Sequence, residues 1–335
     1  MQLRIFNNFG ADYDPSDGCI LAVGNFDGVH KGHQLVFGSA VQTARDKGLK
    51  AVLLTFSSHP AALIRPDAAP YPLMKVADRL IFAEKAGFDT AFVLEFDEEL
   101  AALSPEKFVE GILLDRLNVK AVIAGESWRF GQDRKGDMVM LSSLGRRLGF
   151  EVRVVEPYVV QGLPVSSTRI RGALAAGDVA AAGALLGRPH FVRGTVVSGK
   201  HRGRGLGFPT VNLDCHHTMV PGEGVYAGGY RTWGTDADKG SDQGRPGPVE
   251  KAFHGAAAIS IGSSPTFRNG SYAVEAHLAG WEGDLYGATV TIAFLERIRE
   301  QFTFPGGAEL SRQIALDVKR SEDLFGADAL EDVPI

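Results

Sequence analysis

Two histidines three residues apart, His30 and His33, close a segment that begins at Gly24 and contains three glycines. Glycine lets a backbone approach an anion closely, and imidazoles at this spacing in the first turn of a helix project toward the same place. A helix that begins here adds unpaired amide groups and the positive end of its dipole. These features suit a site where negative charge builds on a phosphate. Two alternatives stay open: a glycine turn with solvated histidines, and a metal site that includes Asp27.

A second polar segment, Ser166 to Arg171, carries three hydroxyl residues and two arginines and follows a strand-like run. Hydroxyl groups at the start of a helix, the helix amides and guanidinium groups in the first turns together form a clamp for a polyphosphate. The alternative is an ordinary helix that is capped by Ser or Thr and has a solvated basic face.

A third segment, Gly199 to Asn212, is basic, dense in glycine and ends in a strand-like run. Its loop could wrap a triphosphate, and Thr210 and Asn212 face the same side of the strand, where their oxygens could reach a Mg²⁺ ion. Alternation in 272–278 places Glu275 on the polar face of another strand. The alternatives are a solvated Gly/Arg turn and a solvated glutamate.

The first half of the chain alternates strand-like and helical patterns. Strand-like runs lie at 19–23, 51–56, 91–96, 119–124 and 152–155. The first helical stretch extends from about His33 to Lys47, and Ser104 and Pro105 supply the cap and first turn of another. This alternation predicts an α/β fold with a doubly wound parallel sheet, whose ligands lie at the carboxyl ends of strands near a topological switch point.

The pattern changes near Gly187, and we place a domain boundary there, with domains at 1–186 and 187–335. Six runs of strand character follow without helices between them, at 192–197, 210–213, 225–233, 256–261, 272–278 and 289–294. They predict a six-stranded β-barrel. A terminal helix with Leu310, Ile314 and Val318 at spacing four is expected to pack across it, and 234–248 is expected to be a mobile surface loop.

Composition limits the class of protein. The chain has 335 residues, a net charge of −5 and two cysteines. A weakly acidic chain with one short basic run is a poor partner for nucleic acid, and two distant cysteines form no disulfide framework. The N-terminal residues lack the apolar core of a signal peptide, and no run approaches the length of a membrane span. We therefore expect a cytoplasmic protein with small-molecule substrates and no membrane or nucleic-acid partner.

The first two segments together resemble those of the nucleotidyltransferase superfamily, a Rossmann-like fold. Thr55-Phe56 and His59-Pro60 make the match similar to the FMN adenylyltransferase branch. The resemblance implies that His30 and His33 contact the reacting phosphates of ATP and that Mg²⁺ bridges phosphates there. It also implies that Ser167, Thr168 and Arg171 hold the β and γ groups of ATP. Further nucleotide-binding roles are implied for Gly24, Phe26, Asp27, Gly32 and Ser166.

One stretch departs from this family's pattern. Related sequences carry Gly-x-Asp/Asn-Phe-x-Phe-Gly where this chain has residues 125–131, with Ser127 in place of the acid or amide and Trp128 in place of a smaller ring. The resemblance implies that this stretch contacts FMN, so Ser127 is the candidate flavin-binding residue there and presents a shorter polar group.

The residues from Leu206 to Asn212 closely resemble the signature of riboflavin kinases. Matching pieces follow in the family's order at 224–228, 261–267, 274–275 and 284–287. The resemblance spans nearly the whole chain and indicates the bacterial bifunctional riboflavin kinase/FAD synthetases, which phosphorylate riboflavin with ATP and adenylylate the resulting FMN. It implies nucleotide-binding roles for Gly199, Gly205 and Gly207, Mg²⁺ contacts from Thr210 and Asn212, a catalytic base in Glu275, and flavin contact by Arg299, placed just past the last strand.

Two rival interpretations follow from the same residues. One is a nucleotidyltransferase for another phosphorylated metabolite, with the barrel as an accessory domain. The other is a regulatory module that binds flavin or nucleotide without turnover. The signature up to Asn212 together with Glu275 argues against the first, and the joint presence of the two histidines with Thr210, Asn212 and Glu275 argues against the second.

Overall fold

A computed structural model describes residues 2–9, 13–64, 66–198, 207–215, 218–232, 253–263, 272–326, 330, 331 and 333. Its contacts divide the chain into two compact units, Met1–Ser166 and Ser167–Ile335. The sequence-based boundary after residue 186 lies about one helical hairpin later than this division. No helix in the described ranges combines the length and the apolar character that a membrane crossing needs.

The first unit is built on a six-stranded parallel sheet with the order β1-β4-β3-β2-β5-β6. Its strands are β1 (Arg4–Asn7), β2 (Cys19–Val23), β3 (Lys50–Phe56), β4 (Thr90–Leu94), β5 (Val119–Gly125) and β6 (Glu151–Val155). β2 lies between β3 and β5, and every residue of it is buried. The doubly wound sheet is therefore confirmed, with one additional edge strand, β1, that the pattern did not reveal.

Helices connect these strands. They are α1 (Lys31–Lys47), α2 (Pro60–Ile64), α3 (Val76–Ala86), α4 (Glu98–Ala102), α5 (Pro105–Lys107) and α6 (Met138–Leu148), with a π-helical segment at Phe108–Arg116 and 3₁₀ turns at Pro66–Ala68 and Gln132–Arg134. Ser104 caps α5 as predicted, because its side chain accepts a hydrogen bond from the amide of Lys107. A small hairpin of β7 (Val159–Val160) and β8 (Leu163–Pro164) ends the unit.

The second unit contains a closed antiparallel barrel with the order β10-β13-β12-β11-β14-β9. Its elements are α7 (Ser167–Ala175), α8 (Val179–Leu186), β9 (His190–Val197), β10 (Thr210–Asp214), β11 (Gly224–Thr232), β12 (Phe253–Ser263), β13 (Tyr272–Leu278), β14 (Thr289–Arg299) and α9 (Gly307–Leu324). The predicted barrel is confirmed. The predicted mobile loop at 234–248 lies outside the described residues.

The terminal helix α9 packs on β11 and β12. Leu310, Ile314 and Val318 are half-buried in this contact, so the predicted packing of the helix across the barrel is confirmed. The most buried residues of α9 are polar: Asp317 is 3% exposed and Ser321 is fully buried. Polar groups can be buried there because they are hydrogen-bonded, as Asp317 is to Arg299 of β14.

His190 at the start of β9 makes the stability of the second unit sensitive to pH. Its ring is buried, stacks on Phe294 and bonds through Nε2 to the carbonyl oxygen of Met219 at 2.8 Å. Since a carbonyl only accepts, Nε2 carries the proton of the neutral imidazole. Burial lowers the pKa of His190 from 6.5 to about 4, with the Met219 hydrogen bond acting in the opposite direction and the Arg188 charge adding to the lowering.

We predict that acid destabilises this unit between the two pKa values. The unfolded chain then binds a proton that the folded chain does not, so stability is complete above the unfolded pKa of about 6.5 and falls as the pH drops toward 4. The expected loss between about pH 7 and pH 5 is on the order of 2 kcal/mol. Urea titrations at the two pH values measure it, and the difference should shrink in His190→Gln. An equal difference in that variant would exclude His190 as the cause.

Candidate active sites

The segment from Gly24 to His33 lies at the topological switch point of the sheet. The segment directly follows β2. In the sheet β2 lies between β3, the next strand along the chain, and β5, the first strand of the other half of the sheet, so the direction of strand addition reverses at β2. The amide of Gly24 still donates to the carbonyl of Leu54 at 3.1 Å, which carries the pairing one residue past β2. Ligands of doubly wound sheets lie at this position, so the segment is placed where the sequence predicted it.

His30 caps α1 and is stacked on His33. Its Nδ1 accepts a hydrogen bond from the backbone amide of His33 at 3.3 Å, and the two ring centroids lie 3.5 Å apart at an angle of 19°. Because Nδ1 is the acceptor, Nε2 carries the proton in the neutral ring. Gly32 lies against this arrangement: a Cβ there would lie 3.3 Å from the His30 ring, so a larger residue would press on the ring. The structure thus brings His30, His33 and Gly32 together at the helix N-terminus.

Phe26 supports this arrangement from below. Its backbone has a φ of +50°, a conformation that bulky residues rarely adopt, and its side chain is 3% exposed. The ring meets His33 edge to face at 5.3 Å and Phe37 at 4.9 Å. Gly24 leaves room for it, because a Cβ at Gly24 would lie 3.1 Å from the ring. Phe26 therefore packs beneath the histidines, and its contact with a nucleotide stays a prediction.

Asp27 is buried, and its carboxylate accepts the backbone amide of Leu73 at 2.9 and 3.1 Å. This hydrogen bond connects residues 24–33, which we call the histidine loop, to the chain segment before α3. Within the described ranges, no group of three or more His, Cys, Asp and Glu side chains is arranged to hold a metal ion. The structure therefore gives no support to the alternative in which Asp27 joins the two histidines as metal ligands.

Ser127 follows the carboxyl end of β5, the neighbour of β2, and is exposed. Trp128, which replaces the smaller ring of the family pattern, is accommodated by aromatic packing. The Trp128 ring stacks on Phe130 at 4.7 Å and 15°, and the Phe108 ring lies 6.3 Å away. The larger ring is therefore half-buried against the protein. The Ser127 hydroxyl remains accessible at the same edge of the sheet as His30, and flavin contact by it remains a prediction.

The segment from Ser166 to Arg171 begins α7, as predicted. Ser167 is the first helical residue; Ser166 and Thr168 are exposed, and Arg171 is half-buried. The division between the two compact units falls directly after Ser166. The predicted joint grip of these residues and the histidines on one ATP molecule therefore stays a prediction.

The second candidate site lies on the outer surface of the barrel, where three strands meet. Asn212 of β10 stands directly opposite Glu275 of β13, and Ser260 of β12 stands opposite Glu275 on its other side. Opposed residues on neighbouring strands have side chains about 5 Å apart. Val274 and Ala276 point into the barrel and are buried, whereas Glu275 is half-exposed. The predicted polar face of β13 is confirmed at these positions.

Thr210 lies two residues before Asn212 and opposite His277. The turn before it is held by His277, whose Nδ1 lies 2.9 Å from the Pro209 carbonyl oxygen and whose ring meets Phe208 edge to face at 5.4 Å. Gly207 has a φ of +82°, which favours glycine. Thr210 and Asn212 thus lie on the strand that pairs with β13, and Gly207 lies in the turn before that strand. Gly199 and Gly205 lie outside the described residues.

Sequence reasoning missed Gln301 in this site. Its Nε2 donates to Oγ of Ser260 at 2.9 Å and to the carbonyl of Ile261 at 3.0 Å. Gln301 therefore fixes the hydroxyl that stands opposite Glu275. No local signal marks it, because it belongs to the irregular segment after β14 and its partners lie some forty residues earlier in the chain.

Arg299 is the last residue of β14, so its placement just past the strand was wrong: pairing with Val225 extends the strand to this point. Its guanidinium binds the carboxylate of Asp317 in a side-on pair, with Nη2 2.7 Å and Nε 3.1 Å from Oδ2. Its Nη1 donates to the Glu300 carbonyl, and the rings of Phe302 and Phe304 lie 5.5 and 5.6 Å away. These contacts fix the arginine, and its predicted flavin contact stays a prediction.

Asp317→Asn is expected to lower the stability of the second unit by about 3 kcal/mol, because it leaves a nearly buried guanidinium without its counter-charge. The two side chains are only 14% and 4% exposed. Calorimetry of the full chain measures the effect. The matched control is Glu296→Gln, which breaks the Arg320 pair between the same two elements; that pair is 47% and 43% exposed, and the expected loss is below about 1 kcal/mol. Equal losses would show that burial does not set the strength of the Arg299 pair.

Two protein-family models match the chain in series. The model described as FAD synthetase matches residues 13–169, and the model described as riboflavin kinase matches residues 186–325. The first match contains the histidine loop and Ser127, and the second contains Thr210, Asn212, Glu275 and Arg299.

Relatives that match this chain over most of their length combine the same two activities in their names. Proteins named bifunctional riboflavin kinase/FMN adenylyltransferase are 33% identical in Escherichia coli (strain K12), over 93% of this chain and 94% of the relative, and 35% identical in Bacillus subtilis (strain 168), over 91% and 92%. A crystal structure described as a macrolide-efflux protein from Streptococcus pneumoniae superposes with a TM-score of 0.79 at 30% identity, covering 96% of this chain and 99% of that one.

Proposed function

The chain belongs to the family of bifunctional riboflavin kinase/FMN adenylyltransferases, and from that premise we propose how its two sites divide the work. Riboflavin and ATP react at the barrel site to give FMN and ADP. FMN and a second ATP react at the histidine loop to give FAD and pyrophosphate. The observation that carries this division is that the candidate catalytic groups belong to different compact units, with Glu275 in one and His30 in the other.

At the barrel site the nucleophile is the ribityl 5′-hydroxyl of riboflavin, an alcohol that must lose its proton. Glu275 accepts this proton as the hydroxyl oxygen bonds to the γ-phosphorus of ATP and the bond to ADP breaks. Support comes from its half-exposed position between Asn212 and Ser260. Asn212 and Ser260 orient the carboxylate, and Gln301 holds Ser260.

Mg²⁺ fits the donors at this site. Thr210 and Asn212 lie two apart on β10 and Asn212 faces Glu275, which offers hydroxyl, amide and carboxylate oxygens together; Mg²⁺ prefers oxygen ligands shared between protein and phosphates. When bound, the ion would neutralise charge on the transferred phosphoryl group. We assign Thr210 and Asn212 to hold it, and Gly199, Gly205 and Gly207 to approach the nucleotide phosphates. Arg299 is assigned to the flavin side.

At the histidine loop the nucleophile is the phosphate of FMN, which is already anionic. Its oxygen bonds to the α-phosphorus of ATP and pyrophosphate leaves, so no strong base is required and catalysis depends on position and charge stabilisation. His30 and His33, stacked at the N-terminus of α1, donate to the developing charge. Gly24, Phe26, Asp27 and Gly32 shape the loop. Ser167, Thr168 and Arg171 are assigned to the β and γ phosphates, Ser166 to the nucleotide and Ser127 to FMN. When bound, Mg²⁺ would neutralise charge on these phosphates.

We further propose that residues 1–186 serve adenylyl transfer and 187–335 the kinase reaction. Supporting matches end at residue 169 in the first part and begin at residue 186 in the second. Cys19 and Cys215 are both buried and do not form a disulfide with each other, which fits a reducing compartment such as the cytoplasm.

Incubation of the chain with riboflavin, Mg²⁺ and ATP, followed by separation of the flavins, tests the proposal. We expect FMN first and FAD next, with ADP and pyrophosphate as the other products. No new flavin, but pyrophosphate release with another phosphorylated metabolite, would favour a nucleotidyltransferase of different specificity. No new flavin and no pyrophosphate with any such substrate would favour a binding module without turnover.

A further inference from the structure

A buried arginine, Arg79, lies beneath the histidine loop. It belongs to α3 and is 4% exposed, on the same buried side of the helix as Leu80 and Ala83. Burial lowers its pKa to about 10, and the negative charge of Asp27 acts in the opposite direction. The side chain therefore remains charged at neutral pH. A buried charge is unfavourable unless its contacts compensate for the loss of hydration. The groups that interact with Arg79 connect it to the histidine loop.

The first set of contacts runs through Thr55 at the carboxyl end of β3. Nη1 of Arg79 donates to Oγ1 of Thr55 at 2.8 Å and to the carbonyl of Phe56 at 3.0 Å. The Thr55 hydroxyl in turn donates to the carbonyl of Asn25 at 3.2 Å. A hydroxyl has one proton, so donation to Asn25 leaves its lone pairs for Arg79 and fixes the direction of the relay. Arg79 thus holds the residue before Phe26.

The second interaction is electrostatic and involves the residue after Phe26. Asp27 is 3% exposed, its carboxylate accepts the Leu73 amide with both oxygens, and it attracts the charge of Arg79. One buried cation therefore stabilises both neighbours of Phe26. Phe26 itself has the unfavourable φ of +50°, a conformation that persists only where the surroundings impose it. Its ring contacts the ring of His33 edge to face, with the centroids 5.3 Å apart.

We propose that Arg79 is a positioning residue for adenylyl transfer: through Thr55 and Asn25 on one side and Asp27 on the other, it holds Phe26 in its strained conformation, and Phe26 sets the orientation of the His33 ring. Arg79 touches no reacting atom. The proposal rests on the proposed adenylyltransferase activity of this site.

Arg79→Met, Arg79→Lys and Arg116→Met, a matched change of an exposed arginine in the same unit, test the proposal by FMN to FAD kinetics. A misplaced histidine is expected to lower kcat by ~100-fold in Arg79→Met with a much smaller change in the KM for ATP. Arg79→Lys, which keeps the charge and one donor, should recover most of the loss, and Arg116→Met should match the parent. Riboflavin kinase activity of the same molecules should be unchanged, because Glu275 lies in the other unit, and a parent-like circular dichroism spectrum and thermal transition report that the first unit is folded.

Thr55→Val and Thr55→Ser repeat the test without removing a charge, should Arg79→Met fail to fold. Valine keeps the shape but breaks the relay to Asn25, so kcat for FAD formation should fall, whereas serine keeps the hydroxyl and should retain the activity. Parent kcat in both Arg79→Met and Thr55→Val, or a fall in Thr55→Ser equal to that in Thr55→Val, would overturn the proposal.

A spectroscopic measurement separates this proposal from the proposed function. The Cε1 proton of His33, assigned from the spectrum of His33→Ala, senses the Phe26 ring by NMR. Its resonance should move in Arg79→Met and Thr55→Val and stay in place in Arg79→Lys and Thr55→Ser. An unmoved resonance in the first two would overturn the positioning role. Absence of FAD formation by the parent would instead count against the proposed function, and the NMR comparison would still decide about Arg79.

Discussion

Glu275→Gln is expected to lower FMN formation from riboflavin by ~10²–10⁴-fold, because the amide cannot accept the proton of the ribityl hydroxyl. Glutamine keeps the size of the side chain and its place between Asn212 and Ser260, the residues opposite it on the neighbouring strands, so the barrel should remain intact. Conversion of supplied FMN to FAD should continue at the parent rate. Chromatography of the flavins measures both reactions in one sample.

Glu282→Gln is the matched control for this variant. Glu282 is exposed in the turn after β13, so the same change of charge there should leave both reactions intact. Near-parent FMN formation by Glu275→Gln would remove Glu275 as the base, and loss of both reactions would contradict separate sites.

His30→Asn is expected to lower conversion of FMN to FAD by ~10²–10³-fold, the range found when a donor to developing charge is removed. Asparagine is among the preferred residues at a helix N-cap, so its side-chain oxygen can accept the hydrogen bond that the His33 amide donates to His30, while the imidazole is lost. Riboflavin kinase activity should be unchanged, since Glu275 and its partners lie in the other unit.

His30→Ala separates the cap from the chemistry. It removes both the imidazole and the cap, which costs about 1 kcal/mol of helix stability, and it should lose FAD formation to the same extent as His30→Asn. Normal FAD synthesis by His30→Asn with a loss only in His30→Ala would assign the residue to helix stability alone.

Strong periodic signals in the sequence predicted most of the fold. The buried run of β2 and the alternation on β13 were read correctly because burial on both faces, or on one face, leaves a direct pattern in the residues. Arg4–Asn7 was missed since this edge strand is short and only partly buried. The end of β14 was missed because Glu296, Arg297 and Arg299 interrupt the apolar pattern, while pairing with β11 continues through them.

The chemical residues of each site were predicted better than the residues that hold them. His30, His33, Thr210 and Asn212 lie in compact segments, so spacing along the chain reveals them. Gln301 and Arg79 act on partners far away in sequence, and only folding brings these pairs together. One signal for Arg79 was present: a cation on the side of α3 that also carries Leu80 and Ala83. The ion pair of Arg299 with Asp317 left a similar signal in the sequence, because Asp317 is a charged residue on the buried side of α9.

The most direct test of two separate sites in one chain is a mixture of Glu275→Gln and His30→Asn incubated with riboflavin, Mg²⁺ and ATP. Alone, the first variant should leave riboflavin unchanged and the second should stop at FMN. The mixture should produce FAD, because FMN released by one molecule is adenylylated by the other. FAD formation from riboflavin by either variant alone, or none in the mixture, would contradict the division of the two reactions between Glu275 and His30.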